Sequence, residues 1–472
     1  MNIRMGMVTN PQKISIDPAK IDTLDKAILC DNLYARLITY DDATPKSWLA
    51  KTFFIKDNNI FIELQDSLTS NGTKITAQDV AFSLKRLLSL DTNTHAKLDK
   101  FLSCSEDFKN INDPCDSIEI VDEKNLILHT ISNSKAEVLL KILASTEYGI
   151  VPKSAVDPKS LKITDYTNTT GAFSISSFSK NTTLKKNTNF TFSLNFPDTV
   201  EIIGSVSSDE LLNDLIDNKI DLITTSNNIS AAKAKEFEST NIFNIFYTNQ
   251  IKLFMIAFGP KIISTTSSAQ RTSLINKIRE ILIHQYPLSA GTDETDQFLT
   301  KTGDGRLSSK QKQELTTRTS EELPIESKYI FHTYKGLEKS MSNLKNIENL
   351  DLRFEDDFPL ETTYEKRPSI YFLSGDMAFN VNYSLLSYYL GNQIVAIEHS
   401  EAEQLLEKFL NTESEDKKQE LINMIHFKIL NEALVGPLFV SPYTIITRAP
   451  YESFQSKLSA STKLWKISKY AE

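Results

Sequence analysis

The sequence predicts an α/β fold built as two lobes, and three observations carry that prediction. Val200–Ile203 reads as a strand, the stripe Leu211, Leu212, Leu215 and Ile216 as a helix, and Ile220-Asp221-Leu222-Ile223 as a second strand, which together make a β-α-β unit. The alternation returns further on, with a strand over Lys328–Thr333, a helix over Leu337–Asn346 and a strand over Leu350–Phe354. At 472 residues the chain exceeds what one hydrophobic core usually holds, so two or three domains are expected.

Composition excludes several classes of function. A formal net charge of −9 argues against nucleic acid as a partner, because phosphate binding needs a dense basic face. No apolar run approaches the ~20 residues that cross a bilayer. The six histidines (His95, His129, His284, His332, His399 and His426) are scattered and none pairs with a cysteine, so no zinc site is expected. Neither a nucleophile–base constellation, a P-loop nor a dinucleotide fingerprint is present, and the chain reads as a non-enzyme with no catalytic residue and no cofactor. Cys30 lies among Ile28, Leu29 and Leu33 and reads as a buried thiol. Cys104 and Cys115 flank a polar loop, where a disulfide would suit an oxidising compartment. Met1–Val8 lacks the apolar stretch of a secretory leader; either the chain is cytoplasmic or a leader has been removed.

In chain order, Ile3–Thr9 alternates as a first strand, and Asp17-Pro18 forces an extended or turn conformation at Asp17. A helical pattern then runs from Ala27 to Leu37 and ends near Tyr40. Ile60, Ile62 and Leu64 alternate against Phe61 and Glu63 as a strand. Thr76 with Asp79 three residues later is a capping box, and Ala77, Val80, Leu84, Leu87 and Leu88 form the helix's apolar stripe, with Lys85 and Arg86 off it. Strands follow at Ser117–Val121 and Asn125–His129, then a helix at Ala136–Leu143. Gly171 opens a strand and marks a close backbone approach or a bulge.

Ser208 is the expected cap of the helix in the β-α-β unit. Parallel strands joined by a helix bind ligands at their carboxyl ends, which puts Thr224, Thr225, Ser226, Asn227 and Asn228 at a cleft edge; the same residue types also simply build turns. Asn244–Phe258 is a long apolar strand leading into the second lobe. A later apolar strand breaks at Ser374-Gly375-Asp376, where backbone N–H groups and a carboxylate become available to a ligand. Two helices, with a charged turn at Glu413–Lys418 between them, precede the closing stretch that contains Tyr443.

One phrase identifies a family. "NGTKITAQDVAFSLKRLLS" (Asn71–Ser89) resembles the "DGTPLTAEDVVFSLxRL" signature of the family 5 extracellular solute-binding proteins, the peptide-, dipeptide- and nickel-binding components of ABC importers. "SIDP" and "DNLYARLITYD" resemble the family's opening, "GIVPKSAVDP" resembles a phrase of oligopeptide binders, and only Gly259 to Pro368 matches poorly. The resemblance implies a periplasmic-binding-protein type II (cluster C) two-lobe clamshell with an inserted α+β subdomain. Its implied parts are 1–47 and 166–250 in lobe I, 48–165 as the insertion, 251–440 as lobe II, and 441–472 returning to lobe I. It also implies which residues line the cleft: Gln12 and Lys13 before the Asp-Pro turn, Ser226, Asn227 and Asn228, the segment Ser374, Gly375, Asp376, Met377 and Phe379, and Tyr443.

In peptide-binding relatives an aspartate in "GWxADY" pairs with the ligand's ammonium. Registering the segments puts Ala378 at that place here, so the anchor is absent or has moved to Asp376. The expected function is capture of a peptide-like or other small polar solute between the lobes, followed by delivery to an ABC permease. The alternative is a ligand-sensing signalling module on the same fold. A monomer is expected, periplasmic or anchored at the cell surface.

Overall fold

The computed structural model describes residues 1–8, 16–21, 23–41, 44–90, 98–102, 104, 108, 110–178, 181–192, 195–205, 207–224, 229–285, 289–299, 305–316, 321, 328–334, 337–355, 364–376 and 381–469. They form two compact units, Met1–Thr248 with Tyr443–Glu472, and Asn249–Pro442.

Unit 1 opens with β1 (Asn2–Met7) and α1 (Leu24–Leu33), the latter capped by the Thr23 hydroxyl. The helix stops at Leu33 instead of near Tyr40, and Gly171 is the reason. Its N–H donates to the Leu33 carbonyl at 2.9 Å, and a Cβ there would stand 2.6 Å from the Leu33 carbonyl carbon. A distant segment thus occupies the place of the next helical turn, and only glycine fits so close an approach.

A small antiparallel sheet follows, made of β2 (Ala50–Lys56), β3 (Asn59–Leu64), β4 (Ile118–Ile120) and β5 (Asn125–His129) in the order β2-β3-β5-β4. Ile60, Ile62 and Leu64 are its buried face. Two helices pack on it, α2 (Ala77–Ser89) and α3 (Asn133–Ile142). At the start of α2 the Asp79 carboxylate accepts from the Thr76 N–H at 3.0 Å and from its hydroxyl at 3.1 Å. The other Asp79 oxygen takes the Lys153 N–H, and Ser83 both donates to and accepts from the Val151 backbone. One helix therefore fixes the Val151–Lys153 segment through its polar residues as well as its apolar stripe.

Unit 1 continues with β6 (Phe173–Phe178), β7 (Thr182–Lys186), β8 (Thr199–Gly204), α4 (Ser208–Ile216), β9 (Leu222–Ile223) and α5 (Ala231–Glu238). The cap of α4 is Ser207, whose hydroxyl accepts from the Glu210 N–H, while Ser208 is the first helical residue. Its strands run in the order β9-β1-β8-β7-β6, with β1 parallel to both β8 and β9. Trp48 and Trp465, the chain's two tryptophans, meet here with ring centroids 5.9 Å apart.

Unit 2 is entered along β10 (Phe243–Phe258) and holds α6 (Ser268–Gln285), β11 (Asp293–Glu294), β12 (Tyr329–Tyr334), β13 (Leu350–Glu355), β14 (Ile370–Asp376), α7 (His399–Leu410) and α8 (Glu415–Asn431). The chain leaves it along β15 (Val435–Arg448). The order is β13-β12-β14-β10-β15, with β12 parallel to β13 and β14, and β14 antiparallel to β10. Phe254, Ile256 and Phe258 of β10 join Ile275, Ile278, Leu282, Phe331 and Ile370 in one core. The segment read as a charged turn, Glu413–Lys418, already contains the start of α8. Ser414 caps the helix, and Glu415 and Asp416 sit at its positive end.

Candidate functional site

Each unit has an edge where the carboxyl ends of parallel strands come together, the usual place for ligands in such sheets. In unit 1 that edge is formed by β1, β8 and β9. Gln12 and Lys13 follow β1 in the sequence, and Ser226, Asn227 and Asn228 follow β9; all five lie outside the described residues. Their described flanks are firmly built. Thr224 and Ile229 are buried, and Ser230 caps α5 by accepting from the Lys233 N–H.

Asp17, on the far side of the segment after β1, is held by Arg86 of α2. The two guanidinium–carboxylate contacts measure 3.0 and 2.5 Å, and Arg86 Nε donates to the Leu161 carbonyl at 2.8 Å. Both side chains are buried, so Arg86 does not stand off the helix's packed surface as its spacing suggested. Burial pushes the nearby Cys30 thiol well up, with Asp17 and Asp31 adding to the effect, so it stays protonated.

In unit 2 the edge is formed by β12, β13 and β14. Ser374 is exposed and Gly375 half-buried, while Met377 and Phe379 lie outside the described residues. The stretch Leu385–Leu390 is π-helical, and a Cβ on Gly375 would collide with the hydroxyl of its Tyr389. A side chain at position 375 would therefore have to displace the buried Tyr389 ring. Asp376, placed by its backbone, is paired in register with Lys252 of β10.

Lys252 escaped the sequence analysis. It is only 8% exposed, its ammonium lies 4.9 Å from the centre of the Phe254 ring, and burial pulls its pKa down to about 8. The signal was available as one lysine inside an otherwise apolar run, Ile251-Lys252-Leu253-Phe254. Tyr443, on β15, is buried at 6% exposure, and its N–H donates to the Thr248 hydroxyl at 2.8 Å.

A polar depression of about 170 Å³, also missed, is lined by Asp293, Glu294, Thr295, Asp296, Arg306 and Lys312 with Val440. Lys312 pairs with Asp296 at 3.0 Å across it. Behind it His426 is buried; its Nε2 accepts the Phe298 N–H, and burial lowers its pKa to about 4. Among the described residues no group of His, Cys, Asp and Glu could hold a metal ion, and no helix is long and apolar enough to cross a membrane. Cys104 and Cys115 are joined in a disulfide.

Residues 44–272 match the model for bacterial extracellular solute-binding proteins, family 5 middle region. No curated protein sequence matches this chain. Solved structures do. A dipeptide-binding protein from Pseudoalteromonas sp. SM9913 in complex with Met-Leu has 14% identity and a TM-score of 0.81, with 100% of each chain covered. NikA from Brucella suis in complex with Fe(III)-EDTA has 14% identity and a TM-score of 0.80, again over 100% of each chain. The ABC transporter-associated periplasmic protein DppA from Helicobacter pylori, with the peptide STSA, has 13% identity and a TM-score of 0.79 over 99% of this chain and 98% of that one. Residues 44–272 are thus similar in sequence to the family 5 bacterial extracellular solute-binding proteins, and the whole chain is similar in fold to the solved structures named above.

Proposed function

We propose that this chain is the solute-binding component of an ABC importer, taking up a peptide-like or other small polar solute and handing it to a membrane permease. The observation that carries the reading is the coincidence of the family match over residues 44–272 with a fold likeness that runs the full length of transport proteins. Gln12, Lys13, Ser226, Asn227, Asn228, Ser374, Gly375, Asp376, Met377, Phe379 and Tyr443 are its proposed solute contacts. A periplasmic or cell-surface location is supported by the Cys104–Cys115 disulfide, which persists in oxidising surroundings.

A hinged binder works by binding its ligand better in one conformation than in the other. Any tight ligand must therefore raise the melting temperature through binding linkage. The test is thermal melting against peptides, sugars and metal chelates, with mass spectrometry of small molecules that co-purify. A reproducible shift with one class supports the reading; no shift and no co-purified solute overturns it. A solute-dependent complex with a regulator in place of a permease would move the chain to signalling.

A further inference from the structure

The polar depression of about 170 Å³ in unit 2 carries two charges of opposite sign that no side chain answers. Of its two cations, Lys312 is paired with Asp296 at 3.0 Å. The other, Arg306, is half-buried, and among the described residues its guanidinium makes no hydrogen bond or ion pair. Its backbone, by contrast, is held from several sides. The Arg306 carbonyl accepts from Asn423 Nδ2 at 3.0 Å and the Gly305 carbonyl from His426 Nδ1 at 3.2 Å, both on α8. The Leu307 N–H donates to Gln297 Oε1 at 3.0 Å. On β11, Glu294 pairs in register with Phe439 of β15, and its exposed carboxylate has no partner among the described residues either. Its neighbour Asp293 accepts from Gln250 Nε2 at 2.6 Å. Arg279 of α6 feels the charges of Asp296 and Glu294, but its donors are engaged by the Pro437 carbonyl at 2.6 Å and by Asn276 Oδ1 at 3.1 Å.

We propose that this depression is a second binding site, for a small zwitterion of the α-amino-acid class, with the carboxylate on Arg306 and the ammonium on Glu294. A guanidinium with its fork of donors open is matched by a carboxylate, and an open carboxylate by an ammonium. An anion alone would meet the carboxylates of Asp293, Glu294 and Asp296, and a cation alone the charges of Arg306 and Lys312. A molecule with one charge of each sign can set each beside its opposite. The size agrees: a cavity of about 150 Å³ holds a benzene-sized molecule, so glycine, alanine or serine fits and a longer peptide does not. None of the solute contacts proposed above lines the depression, so this site stands whether or not the chain serves an importer.

The test uses L-alanine and two derivatives that each lack one charge, L-alaninamide without the carboxylate and N-acetyl-L-alanine without the ammonium. Wild type, Arg306→Gln and Glu294→Gln are titrated with all three by calorimetry, and thermal melting checks that each variant is folded. Wild type should bind L-alanine about tenfold or more tightly than either derivative. Arg306→Gln should bind L-alanine no better than the amide, and Glu294→Gln no better than the acetylated acid. A wild type that does not bind L-alanine, or binds it no better than the derivatives, overturns the inference. So does a preference for L-alanine that survives in both variants, which would seat the amino acid elsewhere on the chain. Either failure leaves the proposed function standing, since that is read from solutes bound at other residues.

Discussion

Arg86 in unit 1 and Lys252 in unit 2 are both buried cations, and they are accommodated by different means. Arg86 meets a carboxylate face to face, with a carbonyl on its third donor. Lys252 rests on an aromatic ring within an apolar strand, and burial lowers its pKa. A guanidinium whose geometry is matched point for point ties segments together. A lysine set on a ring leans on the aromatic face beneath it, and burial disfavours its charge.

The largest expected effect breaks the first arrangement. Arg86→Met leaves Asp17 buried without its counter-charge and should cost about 3–5 kcal/mol in chemical denaturation. Asp17→Leu/Arg86→Met should cost much less than the sum of the single changes; a simple sum would show that the two residues do not act as a pair. Gly171→Ala comes next at about 1–3 kcal/mol, because the atoms it meets are backbone and cannot swing aside.

Asp79→Ala removes the capping box of α2 and should cost about 1 kcal/mol. For Lys252→Met the same denaturation should show a smaller loss than Arg86→Met, because burial already disfavours the charge that is removed. A loss as large as that of Arg86→Met would erase the contrast between the two cations.

His426 adds a pH dependence of known sign. Its folded pKa, about 4, lies below the ordinary 6.5, so the folded chain binds fewer protons. The stability it confers is complete above pH 6.5 and drains away as pH falls toward 4. His426→Gln should flatten that part of the stability profile, and an unchanged slope would remove His426 as its source.

What could be read from the sequence was whatever is decided locally. The cap and stripe of α2 lie within fourteen consecutive residues, and the helix forms where they place it. The strand–helix–strand unit is likewise present, though Ser207 and not Ser208 caps its helix. What could not be read depended on distant partners. Arg86 sits off the stripe by spacing, yet Asp17, 69 residues earlier, draws it inside. The apolar periodicity of α1 runs on past Leu33, but Gly171 ends the helix from far along the chain. For the candidate site, the sequence named loop residues by family phrase and passed over Lys252, whose significance comes from the strand across from it. Asp376 was noticed as a carboxylate; the register adds that its strand partner is Lys252.

The meeting of Trp48 with Trp465 gives the chain a built-in optical reporter. Excited selectively, the protein emits from a single spot, where the start of the small sheet touches the C-terminal segment. A change in emission maximum during unfolding or solute addition therefore dates the loosening of that junction alone. Events elsewhere, including at the β14 edge, stay dark unless they are transmitted to it.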